Sequence, residues 1–142
     1  MPSHASQKYT VGFIFDSNLK RVLLAHKEKP AWQKGKLNGV GGKYEPGETA
    51  EECIRRETLE ETSLDIPEWT YVGEIQQEAG NVGFLAAVYK GNPRAAKKAD
   101  YEEVEWFDID ALPSNIIPNL RWLIPISLEK VTGNLQSFMV RY

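Results

Sequence analysis

The chain is poor in cysteine, in basic excess and in long apolar runs, and each shortage excludes something. Cys53 is the only cysteine in 142 residues, which rules out an internal disulfide and a cysteine-rich zinc site. No apolar run approaches the roughly 18 residues a membrane span needs. The stretch from Met1 to Lys8 is polar, without the apolar centre of a signal peptide, and reads as a flexible lead into a single domain over residues 9–142. Lysine and arginine number 17 against 20 acidic residues, a net charge of −3, which speaks against a nucleic-acid-binding surface. There is no internal repeat and no low-complexity tract. With 42% hydrophobic and 26% charged residues, the composition suits a globular domain large enough to bury a core without staples. The expectation is a cytoplasmic protein acting on a small molecule, with neither a nucleic acid nor a membrane as partner. Oligomeric state is not readable from the sequence; a homodimer remains open.

What is present alternates between strand and helix signals. Tyr9 to Phe15 and Arg21 to Ala25 are β-rich runs separated by Asp16-Ser17-Asn18, a hairpin pattern. Pro30 to Gly42 is a glycine-rich loop with a short strand around Leu37 to Val40. After the Pro46-Gly47 turn, Thr49 and Glu52 have capping-box spacing, and a helix is expected to about Thr62. Strands are expected near Tyr71–Gln76, Phe84–Tyr89 and Val104–Ile109. Leu120, Leu123, Ile124, Ser127, Leu128 and Val131 share one helix face. Pro118 suits the first turn of that helix, whereas Pro125 predicts a kink or a later start. The pattern is α+β, a mixed sheet with a helix on each face.

The first helix carries an unusual stripe: Ala50, Cys53, Ile54, Glu57, Thr58 and Glu61. Its first half is core and its second half contains carboxylates, with Glu60 adjoining. Glu57 and Glu61, four apart, repel by roughly 0.2–0.5 kcal/mol. Carboxylates in a last turn also face the negative end of the helix dipole. One reading of Glu60 and Glu61 is a solvated face. The other is a cation site, because the stripe points inward and bound cations would remove the repulsion. Oxygen-only ligands select a hard ion, Mg²⁺ with Mn²⁺ as an alternative. Mg²⁺ shares its shell with water and substrate phosphates, and Gly39, Gly41 and Gly42 let backbone approach such a ligand closely. Cys53 lies on the core stripe with no histidine nearby in sequence, which argues against a nucleophilic role.

Taken together, Gly42 to Leu64 (GKYEPGETAEECIRRETLEETSL) resembles the Nudix box of MutT-like pyrophosphohydrolases. Gly42, Glu48, Arg56-Glu57, Glu60-Glu61 and Leu64 match at the spacing of that motif. Thr58 stands where the motif has an apolar residue, and Ser63 where it has glycine. A left-handed Ser63 would cost on the order of 1 kcal/mol. The resemblance implies an α/β/α sandwich with a mixed sheet between helices, and a Mg²⁺-dependent hydrolase. It implies that Glu57, Glu60 and Glu61, with the Gly41 carbonyl, bind the metal ions. Arg56 would hold Glu57, and Glu48 would orient the network. One of Asp100, Glu102 and Glu103 would add a ligand from a later loop. Glu57 is the carboxylate expected to act as general base.

The stretch Arg21 to Lys43 is similar to the matching part of the family's oxidised-purine nucleotide diphosphatases. That likeness implies Asn38 on a purine edge, Trp32 against the base, and Lys27 at the phosphates, with Gly42 and Lys43 alongside. Asn119 falls about where bacterial MutT places another base-reading asparagine. Each has a plainer reading: Trp32 as a core plug, Asn38 as a turn residue, Asn119 as a helix-start residue. The expected reaction is cleavage of a nucleoside triphosphate, such as 8-oxo-dGTP, to monophosphate and pyrophosphate. Alternatives are another nucleoside diphosphate derivative (ADP-ribose, a dinucleoside polyphosphate) or a non-catalytic nucleotide sensor.

Overall fold

Alternating strand residues on β1 send side chains to two separate cores, and this divides the molecule into layers. The computed structural model describes residues 7–97, 102–133 and 137–142. Strand β1 spans Gln7–Asp16 and β2 spans Arg21–His26. Strand β3 is Leu37–Asn38, and helix α1 is Ala50–Thr62. Strands β4 (Thr70–Gln76), β5 (Asn81–Tyr89) and β6 (Val104–Asp108) follow, then helix α2 (Leu120–Val131) and β7 (Phe138–Arg141). The sheet runs β3-β2-β1-β5-β4-β7, with β6 also on β2. It is mixed: β1 with β5 and β4 with β7 are parallel, and the other pairs are antiparallel.

Phe13 and Phe15 of β1 pack with Leu120, Leu123 and Ile124 of α2. Ile14, between them, packs with Ala50 and Ile54 of α1. The expected sandwich, a sheet with one helix on each face, is the observed one.

Several expectations shift on contact with the structure. Strand β1 starts at Gln7, so Gln7 and Lys8 belong to the sheet and not to a flexible lead. Gln7 is buried and exchanges hydrogen bonds with Tyr71 and Tyr44, partners that sequence spacing could not reveal. Helix α2 begins at Leu120 behind Asn119, which leaves Pro118 outside the first turn. Pro125 sits inside the helix on its exposed side and neither delays its start nor ends it. Strand β7 was not anticipated: it is four residues long and half exposed, and its place is set by pairing with β4.

Helix α1 starts as its sequence dictates. Thr49 accepts from the Glu52 N–H at 3.1 Å, and Glu52 accepts from the Thr49 N–H at 2.9 Å. At its other end Ser63 takes up the left-handed conformation, φ 67°, where glycine would be unstrained. Thr58 is fully buried and its Oγ1 has no hydrogen-bond partner. Both departures from the motif therefore carry a stability cost. Ser63→Gly and Thr58→Val are each expected to raise stability by about 1 kcal/mol, roughly 3–4 °C in Tm for a chain of this size. Thermal unfolding of each variant measures it. A lowered Tm in either would contradict the assignment of strain or of the orphaned hydroxyl.

Candidate active site

The acidic end of α1 faces the loop between β3 and α1, and one arginine organises the contact. The Arg56 fork grips Glu48, Nε to Oε2 at 2.6 Å and Nη2 to Oε1 at 2.9 Å. Nη1 donates to Glu57 Oε1 at 2.9 Å and reaches Glu60 at 3.3 Å. Nη2 also donates to the Lys43 carbonyl at 3.0 Å, which ties the loop to the helix. Arg56 holds Glu57, as expected, but by a single bond; its two-pronged grip falls on Glu48. Hydrogen bonds from Arg56 hold the Glu48 carboxyl below its usual pKa, against a smaller effect of burial. The same bonds raise the pKa of Arg56 itself, led by the one to Glu48, so its charge is permanent.

Glu61 has no such counter-charge. It is 6% exposed. Its Oε2 accepts from the Gly41 N–H at 3.1 Å, while Oε1 is buried without a partner. Burial is the main cause that pushes its pKa up to about 8; the Lys27 ammonium opposes in part, and the neighbouring Glu57 adds to the rise. A carboxylate in this state destabilises the metal-free fold once it ionises. The unfolded group loses its proton near 4.5 and the folded one near 8, so the penalty grows as pH rises through that interval and is complete above it.

Close backbone approach makes the arrangement possible. A Cβ on Gly42 would lie 2.6 Å from the Glu57 carboxyl carbon, and one on Gly41 (φ 143°) would collide with the Thr10 carbonyl. Cys53, buried beneath, meets Thr10 Oγ1 at 3.2 Å, and burial pushes its thiol up to about 11. It is an inert core thiol, as its place on the stripe suggested.

The pair Glu57–Glu61 fits a divalent cation: two adjoining carboxyls, one with an orphaned buried oxygen, all-oxygen donors, and a glycine backbone beside them. Glu60, the third carboxylate expected there, stands apart from the pair in this structure. Its side chain is 54% exposed and turned to Arg56. Among the described residues no three histidine, cysteine or acidic side chains converge on one ion position. Water and substrate phosphate are the ligands that would complete such a shell.

Of the three later acids, Asp100 lies outside the described residues and Glu103 is exposed. Glu102 is buried, but its carboxylate is engaged elsewhere. Oε1 accepts from Lys27 Nζ at 2.8 Å, and Oε2 from the backbone N–H groups of Glu28 at 2.7 Å and Lys29 at 3.3 Å. Burial opposes its charge, yet the ammonium and these N–H groups prevail and hold its pKa below the usual value. Glu102 thereby anchors the start of the loop that carries Trp32. Sequence reasoning offered it only as a metal ligand, because its pairing across 75 residues has no local signal.

A cleft of about 780 Å³ opens beside this cluster. Its lining includes Lys27, Trp32, Asn38, Gly41, Gly42, Lys43, Phe84 and Asn119. Trp32 is 65% exposed on a single 3₁₀ turn, Ala31–Gln33, so it plugs no core. Asn38 sits in β3 opposite Ala25 and is not a turn residue. Asn119 holds the N-cap position of α2, but its side chain caps nothing and borders the cleft. Gln33 and Gln77 also line it; neither was singled out from the sequence, although Gln33 directly follows Trp32.

A family model, the NUDIX domain, matches residues 6–125. The chain belongs to this family. Zebrafish (Danio rerio) oxidized purine nucleoside triphosphate hydrolase is 34% identical over 120 residues, covering 78% of this chain and 73% of the relative. The mouse (Mus musculus) protein of that name is 30% identical over 130 residues, covering 88% and 81%. NAD-capped RNA hydrolase NudC of Chromobacterium violaceum is 35% identical over 101 residues, 70% of this chain but 37% of the relative. Among solved structures, the NUDIX domain of Shewanella oneidensis NrtR, crystallised with ADP ribose, superposes with TM-score 0.71 at 16% identity, covering 87% of this chain and 86% of the other. MutT from Methanosarcina mazei superposes with TM-score 0.68 at 18% identity, covering 89% and 95%. These likenesses at low identity carry the fold. The protein is thus a Nudix hydrolase, of a family that generally uses a divalent metal on small nucleotide substrates.

Glu61→Gln removes the buried charge and one candidate metal donor together. Metal-free Glu61→Gln at pH 8 is expected to melt about 3 °C or more above the unsubstituted protein. The stabilisation by divalent metal should be lost, and turnover should fall at least about 10²-fold. Thermal unfolding with and without Mg²⁺, beside a turnover assay, checks all three. An unchanged metal-induced shift would remove Glu61 from the site.

Proposed function

We propose that this Nudix hydrolase is a Mg²⁺-dependent pyrophosphohydrolase of a purine nucleoside triphosphate, with oxidised purines such as 8-oxo-dGTP as leading candidates. The observation that carries this reading is the single cleft that joins an exposed indole and an oriented amide to the glycine backbone over Glu57 and Glu61. Its volume suits one nucleotide. The names of the zebrafish and mouse relatives favour the same substrate class.

In this reading Trp32 stacks on the base, a contact worth roughly 1–3 kcal/mol. Asn38 and Asn119 meet its polar edge. Lys27, held by Glu102, and Lys43 face the phosphates. Glu57 and Glu61 hold the metal, with the Gly41 backbone beside them. A Mg²⁺ ion held there would supply neutralisation of polyphosphate charge and acidification of water. Glu57, bonded to Arg56 on one oxygen only, accepts the proton of the attacking water. Glu48 and Arg56 keep that carboxylate in place. A reducing, cytoplasmic setting suits a chain whose one cysteine is a buried free thiol.

The test is a panel of nucleoside triphosphates and ADP-ribose incubated with purified protein and Mg²⁺, with products resolved chromatographically. The expected outcome is nucleoside monophosphate and pyrophosphate from a purine triphosphate, and no products in chelator. Cleavage of ADP-ribose alone, to AMP and ribose phosphate, would overturn the triphosphate reading. Trp32→Ala is expected to raise KM about tenfold or more with kcat little changed. A lower Tm with unchanged KM would contradict the stacking role.

A further inference from the structure

The cleft holds two carboxamides whose orientations are not free. The backbone N–H of Gly39 can only donate, and it donates to Asn38 Oδ1 at 2.8 Å. That fixes the carbonyl end of the Asn38 amide. The amino end therefore faces Gln33 and donates from Nδ2 to Gln33 Oε1 at 3.1 Å. Gln33 in turn must direct its own Nε2 away from Asn38. One backbone donor thus sets two side-chain amides in series.

The hydrogen-bonding capacity that remains is lopsided. Gln33 keeps both N–H groups of Nε2, and Asn38 keeps one N–H of Nδ2. No aspartate or glutamate lines the cleft among the described residues, so no carboxylate offers an acceptor there. The amides of Gln77 and Asn119 also border it. Neither is held by a side-chain hydrogen bond among the described residues, so each can turn to suit either kind of edge. Only the Gln33–Asn38 pair has a set polarity, and that polarity is donor.

Resting on the nucleotide reading above, we propose that Gln33 is a specificity-determining residue that, together with Asn38, selects purines with a carbonyl oxygen at C6 over purines with an amino group there. A 6-oxopurine presents an acceptor at O6, and this holds for an 8-oxopurine too, whose N7 carries hydrogen and is no acceptor. A 6-aminopurine presents a donor in place of O6, which sets donor against donor and leaves buried N–H groups unpaired. Trp32, adjacent on the same 3₁₀ turn, stacks on either ring and does not discriminate. The selection resides in the amide that follows it.

Deoxyinosine triphosphate and deoxyadenosine triphosphate differ at C6 and test this directly. Calorimetry measures the binding of each to the full chain in chelator, and a Mg²⁺ assay measures kcat/KM in parallel. The expected preference for the inosine nucleotide is about tenfold or more. Gln33→Glu, which replaces the donor by an acceptor of the same shape, is expected to narrow or reverse that ratio. Gln33→Leu is expected to erase it without favouring the adenine nucleotide. Equal binding of the two nucleotides by the unsubstituted protein, or an unchanged ratio in both variants, would overturn the proposal. If neither triphosphate turns over while the binding preference and its response to Gln33→Glu hold, the hydrolytic reading fails and this one stands. If both turn over equally and bind equally, the hydrolytic reading stands and this one fails.

Discussion

One guanidinium serves more carboxylates than it can neutralise, and the site is organised around that shortfall. Arg56 binds Glu48 with two hydrogen bonds, Glu57 with one, and Glu60 at longer range. Its remaining N–H group goes to the Lys43 carbonyl. Nothing of Arg56 is left for Glu61. Lys27, whose ammonium acts on Glu61 through space, is hydrogen-bonded to Glu102. The result is a buried carboxyl with one unpartnered oxygen beside a second carboxyl. Such a group holds a proton or a metal, because the bare charge is too costly in a desolvated setting. In the proposed function the same shortage that costs stability gives the site its affinity for a divalent ion.

The fold serves this by bringing three distant pieces of chain together. The capping box at Thr49 fixes where α1 begins and so which residues face inward one, two and three turns later. Gly41 and Gly42 allow the loop to pass against Thr10 and Glu57 where any side chain would collide. Glu102, approaching from beyond β5, pins the ammonium of Lys27 and two backbone N–H groups of the β2–β3 loop. That loop then presents Trp32 to solvent at the cleft mouth instead of burying it. In the proposed function chemistry sits on a helix and recognition on a tethered loop, an arrangement in which substrate choice can change without disturbing the metal site.

Much of this was legible in the sequence, for identifiable reasons. Both helices and every strand but β7 announce themselves through local pattern, and the carboxylate stripe of α1 through its conflict with stability. Local spacing could not show how one arginine divides its hydrogen bonds. It suggested a grip on Glu57, whereas Glu48, eight residues away, takes two of the hydrogen bonds. Nor could it separate Glu60 from Glu61, adjacent in sequence but on opposite sides of the line between solvent and core. Glu102 and Gln33 were hidden because their meaning depends on partners across the sheet and across a turn. Strand β7 is too short and too exposed to signal itself. What local chemistry determines was readable; what tertiary pairing decides was not.

The central claim is that Glu61 lacks a counter-charge until a divalent ion provides one. Carbon-13 NMR of the side-chain carboxyls, with Glu61 assigned by its glutamine variant, measures this directly as pH is varied. In chelator the Glu61 resonance should titrate near pH 8, and with saturating Mg²⁺ the carboxyl should already be ionised well below pH 7. Titration near 4.5 that does not respond to Mg²⁺ would contradict the account.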